Sequence, residues 1–581
     1  MLTVVLQAVP QAGGQGGHDV PPPPPAGLKS KACSGRPVPR LEDVAEKAGI
    51  RFRHSYSPEK KYIEESMSGG VLVIDYDRDG WPDIYFTNAP TLEMVLHGEK
   101  ARAALYHNNH DGTFTDVTDK AGVATPCFAN GGTVGDYNND GWPDMYITCL
   151  GANVLYRNNG DGTFTDVTAT AGVGDPRYST GAAFGDYDND GFVDLMVSNY
   201  VDFDFRNLSS FGKLLICRFR ADVTCGPRGL KGAGDTLYHN NGDGTFTDVS
   251  RKAGVDDPNL YYGLGLAWAD FNNTGKLDLF VANDATPNYL YRNEGNGKFS
   301  EIGMESGVAL STDGREQASM GVAIGDYNHT GRPSIFVTNF EKEYSALYVN
   351  NGNWQFEEVS DESGVGPPSW PYVKWGDAFF DVDNDGWLDL IAVNGHVFSQ
   401  AARYPGAGYQ QPGTLYLNEK NGTFCDGSQQ AGPDLMQKRA SRGLAVGDFL
   451  NHGQLDVVVE DIDGAPMLLR NRAIPGRHWV SFELAGTKSN RLGIGARVKL
   501  TAGGMTQTDQ VRSGGSYLSQ NDLRLHFGLG SATDIDSVEI RWPSGTTDVM
   551  NGLAADRFYS VLEGKGVVPS EQVRPSAPVR H

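Results

Sequence analysis

LEDVAEKAGI, residues 41–50, closely matches FTDVTDKAGV at 114–123, yet it stands apart from the rest of its series. The form recurs near 162–173, 244–255, 297–308 and 353–365, and in a weakened version at 422–432. Each of those copies follows a Leu-Tyr-x-Asn run, whereas the copy at 41–50 follows none. Seven runs exist: LYHN from Leu105, LYRN from Leu155, LYHN from Leu237, LYRN from Leu290, LYVN from Leu347, LYLN from Leu415 and LLRN from Leu468. After the last of them no closing segment appears. A ring whose last unit borrows its outer strand from the N-terminus explains this offset, and an open solenoid does not require it.

Upstream of every run lies an acidic nonapeptide: DYDRDGWPD (75–83), DYNNDGWPD (136–144), DYDNDGFVD (186–194), DFNNTGKLD (270–278), DYNHTGRPS (326–334), DVDNDGWLD (381–389) and DFLNHGQLD (448–456). Their starts lie 61, 50, 84, 56, 55 and 67 residues apart, room for four strands per unit. Each unit reads as a strand such as GVLVID, the acidic turn, a strand such as DIYFTN, a third through ALYHN and an outer one through FTDVT. Turns rich in Asn, Asp and Gly join them. The expected fold is all-β, a seven-bladed β-propeller over 41–475 closed by the N-terminal strand, with an insertion at about 201–236 in the longest interval.

Oxygen side chains fall at positions 1, 3, 5 and 9 of the nonapeptide, with Gly at 6. Calcium takes six to eight oxygen ligands at a tight bend, and alternating carboxylates on a loop supply them. The spacing begins like a helix-loop-helix calcium hand but departs at the twelfth residue, which is Phe86 and not Glu. Four sets are complete and are read as strong calcium sites: Asp75, Asp77, Asp79 and Asp83; Asp136, Asn138, Asp140 and Asp144; Asp186, Asp188, Asp190 and Asp194; Asp381, Asp383, Asp385 and Asp389. Two are weaker: Asp270, Asn272, Thr274 and Asp278, and Asp326, Asn328 and Thr330 with Ser334 at position 9. The seventh has Leu450 and His452 at ligand positions, and no calcium is expected there. For one copy a metal-free Asx turn is an equal alternative. Four complete sets of mutually repelling carboxylates favour a divalent ion, whose expected role is structural; magnesium fits less well because it wants stricter octahedral geometry.

With 49 Lys and Arg against 72 Asp and Glu, the formal charge of −23 argues against nucleic acid or an anionic membrane as partner. No apolar stretch is long enough to span a bilayer. The opening MLTVVLQAVPQAGGQGGHDVPPPPP reads as the end of a secretion signal and a flexible spacer, or as a disordered leader alone, giving a linker over 1–40. Six cysteines have no zinc-like spacing. Cys217 and Cys225 suit a local disulfide, Cys127 and Cys149 flank one acidic motif and can pair across a hairpin, and Cys33 with Cys425 is left by elimination; buried free thiols are the alternative.

The residue 13 positions after each first Asp is Asn88, Cys149, Asn199, Asn283, Asn339, Asn394 and Asp461. Such a ring binds a polar ligand if it borders the channel, or caps turns. His396 in NGHVF reads as a turn residue, and no GxSxG, HExxH or phosphate-binding loop is present.

The D-x-D/N-x-D-G-x-x-D motif between strands resembles the FG-GAP or VCBS repeats of integrin α-chain propellers. RLGIGARVKL (491–500), QVRSGGSYLSQNDLRLHFGLG (510–530) and VEIRWPSG (538–545) resemble the ASPIC/UnbV domain, and CGPRGL (225–230) is similar to the same cartilage acidic protein 1-like family. The resemblance implies an extracellular, calcium-binding protein. The residues of 476–565 alternate as short strands, so a small β-sandwich or barrel is expected there, followed by a disordered tail at 566–581. Arg491, Arg497, Arg512 and Arg524 are either a patch for a carboxylate or sulfate, or scattered solvated charges. The expected function is a secreted or periplasmic monomer that binds an extracellular glycan or protein and is not an enzyme. The rival is a polysaccharide-directed enzyme or an accessory subunit of one.

Overall fold

The computed structural model describes residues 31–57, 63–203, 216–219, 221–224, 226–403 and 407–575. Alternating apolar residues and Gly-containing turns fold 40–472 into seven four-stranded antiparallel sheets. Blade one is Val71–Ile74, Asp83–Phe86, Ala104–Asn108 and Phe114–Asp116. Blade seven is Ser441–Gly447, Asp456–Asp461, Met467–Arg472 and, from the other end of the chain, Arg40–Asp43, which pairs antiparallel with the third strand in the register Leu41 to Asn471. Inner strands of neighbouring blades touch all the way round, the seventh meeting the first. The ring is closed in the way the displaced LEDVAEKAGI segment requires.

Two features of every repeat hold the blades at this distance. Five residues before each first Asp stands a glycine (Gly70, Gly131, Gly181, Gly265, Gly321, Gly376, Gly443) on the inner strand. A Cβ at Gly265, Gly321 or Gly443 would run into the backbone carbonyl of Met320, Trp375 or Gly69 on the next blade. The second feature is the Asn of each Leu-Tyr-x-Asn run. Its Nδ2 donates across to the preceding blade, Asn108 to Phe449, Asn158 to Tyr76, Asn240 to Tyr137, Asn293 to Tyr187, Asn350 to Phe271, Asn418 to Tyr327 and Asn471 to Val382, all onto carbonyl oxygens at 2.7–2.9 Å. In six blades it also donates to its own acidic turn, as Asn240 does to Val193 O at 3.0 Å. Seven buried amides therefore form an unbroken belt.

Residues 478–568 form a sandwich of two four-stranded sheets. Leu525–Gly530, His478–Ala485, Arg557–Leu562 and Gly566–Val568 make one; Met505–Gln510, Arg497–Ala502, Asp534–Arg541 and Thr547–Ala554 make the other. The sandwich sits on the acidic-turn face of the ring, and one hydrophobic cluster joins Phe482, Ile494 and Phe527 to Tyr137, Phe184 and Leu195 of blades two and three. Of the tail 566–581, expected to be disordered, residues 566–575 begin with a strand and continue through buried Val573 to Arg574, which reaches the blade-one turn at Gly80; 576–581 lie outside the described residues. Similarly, the last ten residues of the expected linker fold against blade six, where Ala32 bridges to Asp426 and Cys33 is disulfide-bonded to Cys425. The Cys127–Cys149 disulfide forms as expected; Cys217 and Cys225 lie outside the described side chains.

The connection 511–524 leaves the sandwich and fills the propeller channel. Gln520 exchanges backbone bonds with Val71 and Val73, Ser516 with Val322, and Asp522 N donates to Val446 O. Ser513 Oγ bridges Val134 O and Phe184 N, Ser516 Oγ accepts from Asp377 N, and Gly514 bridges to Ala267, so the plug touches all seven inner strands. At its tip Tyr517 is fully buried, 4.8 Å from the Trp375 ring, with its hydroxyl on Met67 O at 2.6 Å.

Within the sandwich, buried Glu563 sits in a nest formed by the amides of Thr487, Lys488 and Ser489 at 2.7, 2.7 and 2.9 Å. Burial raises its pKa, but the Ser544 hydroxyl and these amides outweigh burial and lower it to about 2 from 4.5. A depressed carboxylate stabilises above its unfolded pKa and loses that contribution as pH falls through the folded one. Glu563→Gln is therefore expected to be less stable than the parent at pH 7 in denaturant unfolding, with the gap closing between pH 4.5 and about 2; a gap independent of pH would contradict the assignment. For the ring, Gly321→Ala is expected to cost about 1–3 kcal/mol from overpacking. Asn240→Ala leaves two buried carbonyls without a donor, expected to cost roughly 2–4 kcal/mol. A loss below about 0.5 kcal/mol for either would place that residue outside the ring's essential contacts.

Candidate metal centre

Each acidic turn links the inner strand of a blade to its second strand, and its backbone is tied by its own side chains. The first Asp accepts the amide of the position-6 Gly in all seven turns, as in Gly80 N to Asp75 Oδ2 at 3.0 Å and Gly453 N to Asp448 Oδ2 at 2.6 Å. The ninth residue accepts the amide of the Leu-Tyr-x-Asn asparagine, as in Asn108 N to Asp83 Oδ1 at 2.8 Å and Asn418 N to Asp389 Oδ1 at 2.8 Å. Positions 1, 6 and 9 thus build the turn whether or not an ion is present, which explains why turns with weaker ligands at 3 and 5 keep the same shape.

The acidic side chains converge most closely in three turns. Ligand atoms of Asp75, Asp77 and Asp83, of Asp186, Asp188 and Asp190, and of Asp381, Asp383 and Asp385 lie within 4.8 Å of one another. Asp75 Oδ1, Asp77 Oδ1 and Asp383 Oδ1 are buried without a hydrogen-bond partner, a costly arrangement that a cation relieves. Burial, joined by neighbouring carboxylates, raises the acids: Asp75 and Asp136 to about 7, Asp186 to about 8, Asp381 and Asp389 well above the usual carboxylate range. These residues fit a hard divalent ion held by oxygen.

The other turns differ in their donors. In turn two Asn138 Nδ2 donates to Asp140 Oδ2 at 2.9 Å, beside Asp136 and Asp144. In turn four Asp270 accepts from Thr274 N, Asn272 Oδ1 from Asn353 N and Asp278 Oδ2 from Trp354 Nε1, so each of those oxygens is already engaged. Turn five keeps a buried, unpartnered Asn328 Oδ1, with Asp326 bonded to Thr330 N and Ser334 at position 9. In turn seven the chain supplies its own cation, Arg470, with Nε at 2.9 Å from Asp456 Oδ2, and His452 Nδ1 lies 3.4 Å from Asp448 Oδ1.

Several residues here have no counterpart in the ligand pattern. His107 joins Asp77 and Asp79, and His239 joins Asp188 and Asp194, both from the third position of the Leu-Tyr-x-Asn run. Position 4 forms a second belt: Asn139, Asn189, Asn273, Asn384 and Asn451 donate through Nδ2, and His329 through Nε2, to the Gly carbonyl of the next turn. All have positive φ near 55°, the left-handed conformation that Asn tolerates best, a signal readable from the sequence. Arg78 occupies the same position in turn one but leaves the belt, pairing with Glu483 at 3.1 Å and donating to Val573 O.

The amides 13 residues on do not face an open channel. Asn88 donates to Arg53 O and Arg102 O, Asn339 to Tyr344 O and Asn394 to Pro412 O, capping loops on the rim opposite the sandwich. His396 Nδ1 accepts from Phe398 N in a local turn. Three of the four arginines are fastenings between sandwich and ring: Arg497 donates to Gly331 O, Arg512 to Ile324 O, and Arg524 to Gly80 O and Asn451 Oδ1; Arg491 touches the ring only through its backbone amide, which donates to Asn139 Oδ1, while its guanidinium donates to Gly486 O in its own loop.

Residues 75–147, 136–197, 220–281, 270–337, 326–392 and 381–459 match the FG-GAP-like repeat family, and 486–568 match ASPIC and UnbV. Cartilage acidic protein 1 of Mus musculus is 27% identical over 324 residues, 54% of this chain and 47% of the relative. That of Xenopus tropicalis is 26% identical over 351 residues, 59% and 51%. The chain spans about half the length of these curated relatives. Among solved structures, an Agrocybe aegerita lectin that recognises non-reducing terminal N-acetylglucosamine shares 16% identity at a TM-score of 0.35, covering 68% of this chain and 86% of the lectin. YCF48 bound to D1 peptide shares 8% at 0.39, covering 77% and 98%. With the repeats matched over most of the ring and the sandwich matched after them, the chain belongs to the FG-GAP-like repeat family and carries an ASPIC and UnbV domain.

Proposed function

We propose that the protein is an exported propeller, pinned by calcium in its acidic turns, that serves as a binding or adhesion module for an extracellular glycan or protein. The observation that carries the calcium reading is that Asp75, Asp77 and Asp383 each keep a buried, unpartnered oxygen while belonging to acid clusters in turns one and six. Two disulfides and the absence, among the described residues, of any helix long and apolar enough to cross a membrane support export. The plug fills the axis from the acidic face, which leaves the blade rims and the opposite face for a ligand. Against a glycosidase, the carboxylates recur as like sets on separate blades, bonded to their own turns, and not as two unlike groups across one cleft.

Chelation is expected to lower the melting temperature by on the order of 10 °C, because ions bound only by the folded state stabilise it by mass action; an unchanged melt would contradict structural calcium. A glycan array read with and without chelator is expected to give retained, unmodified hits. Turnover of any hit would replace the binding reading with the enzymatic one.

A further inference from the structure

Turn six carries the most deeply buried of the complete acid sets, with the Asp383 side chain 1% and that of Asp385 2% exposed. Its Leu-Tyr-x-Asn run brings no cation, since Leu417 stands where turn seven has Arg470. The compensating charge comes from the other end of the chain. Arg36 Nη2 lies 2.8 Å from Asp383 Oδ2 and 3.4 Å from Asp385 Oδ2, while Nη1 donates to Asn418 O at 2.6 Å. Lys420 Nζ is 2.9 Å from Asp385 Oδ2. The segment bearing Arg36 is held by the Cys33–Cys425 disulfide and by Lys31 against Glu419 at 2.6 Å. Asp383 Oδ1 is buried with no partner, and the Asp383 carboxylate clusters with those of Asp381 and Asp385, one oxygen of each lying within 4.8 Å of the others.

We propose that Arg36 is a tethered competitor for a divalent cation at turn six. This rests on the calcium reading of the turns. The guanidinium satisfies two carboxylates from outside but leaves Asp383 Oδ1 unpaired; a calcium ion among Asp381, Asp383 and Asp385 engages that oxygen as well and adds a second positive charge. The disulfide keeps Arg36 at high local concentration, so the ion must displace an intramolecular partner and the apparent affinity falls by the fraction of time the arginine is seated. Turn six therefore fills at higher calcium than the turns without a tethered arginine, and its filling frees residues 34–38 from blade six while the disulfide still anchors Cys33.

The test is calcium titration of the full chain by calorimetry, paired with hydrogen exchange of residues 33–41, whose bonded amides include Cys33 N on Asp426 O and Leu41 N on Ala431 O. In the parent, exchange of that segment is expected to rise only at calcium concentrations above those that fill the other turns. Arg36→Ala is expected to tighten one site by 10-fold or more, and adding Asp383→Asn to that variant is expected to remove it. Arg36→Lys, which keeps the charge but loses the fork, is expected to fall between. Calcium binding at the other turns with an isotherm unchanged in Arg36→Ala, or with segment exchange indifferent to calcium, would overturn the competitor and leave the calcium reading standing. No calcium bound by either protein would overturn the calcium reading itself, and the competitor with it.

Discussion

Five of the seven seams of the ring depend on a contact in which a backbone carbonyl of one blade lies where a side chain of its neighbour would be; at Gly70 and Gly131 that carbonyl is Leu518 O of the plug. Glycine on the inner strand makes the approach possible, and the asparagine closing each Leu-Tyr-x-Asn run secures it by donating across the seam. Burying a carbonyl without a donor costs roughly 1–3 kcal/mol, so a tight seam without that amide would work against itself. The two residues act together: the glycine brings the blades close, and the asparagine satisfies the polar groups that closeness buries.

The acidic turns divide their labour in the same way. Positions 1, 6 and 9 satisfy backbone amides and occur in all seven turns with one Ser replacement at position 9, Ser334. Positions 3 and 5 vary, and with them the cation that compensates the buried charge. Turns one and three bring a histidine, turn six an arginine from the N-terminal segment, and turn seven an arginine from its own blade. The turn is a constant frame into which different positive charges are fitted.

Much of this was legible in the sequence because it repeats. The displaced LEDVAEKAGI segment specified ring closure, and the pairing of Leu41 with Asn471 is that closure. In turns one, three and six, three acids of each four-residue set lie within 4.8 Å of one another; turn two, equally complete in sequence, shows no such group among the described residues. What stayed hidden occurs once and acts at long range. Nothing in QVRSGGSYLSQNDL says that its serines and Tyr517 line a channel built 70 to 450 residues earlier. Arg36 sits in a stretch whose proline and glycine content suggests a linker, and its role follows only from the position of Cys425 in space. Three of the four arginines of the sandwich domain were ambiguous for the same reason: Arg497, Arg512 and Arg524 spend donors on carbonyls of the ring.

The plug also bears on how the chain reaches its native state. Contacts between residues distant in sequence are slow to form because the intervening loop must close first. Here the strand Arg40–Asp43 waits for Met467–Arg472, and the axis of the ring is supplied later still, by 511–524. Until residues 441–472 exist, six blades stand around an empty centre with the strand Arg40–Asp43 unpaired, a kind of species prone to misassembly. Completion of the sandwich is thus the step that turns an open, adhesive array into a sealed one, and a nascent chain halted before residue 511 has every acidic turn yet no axle.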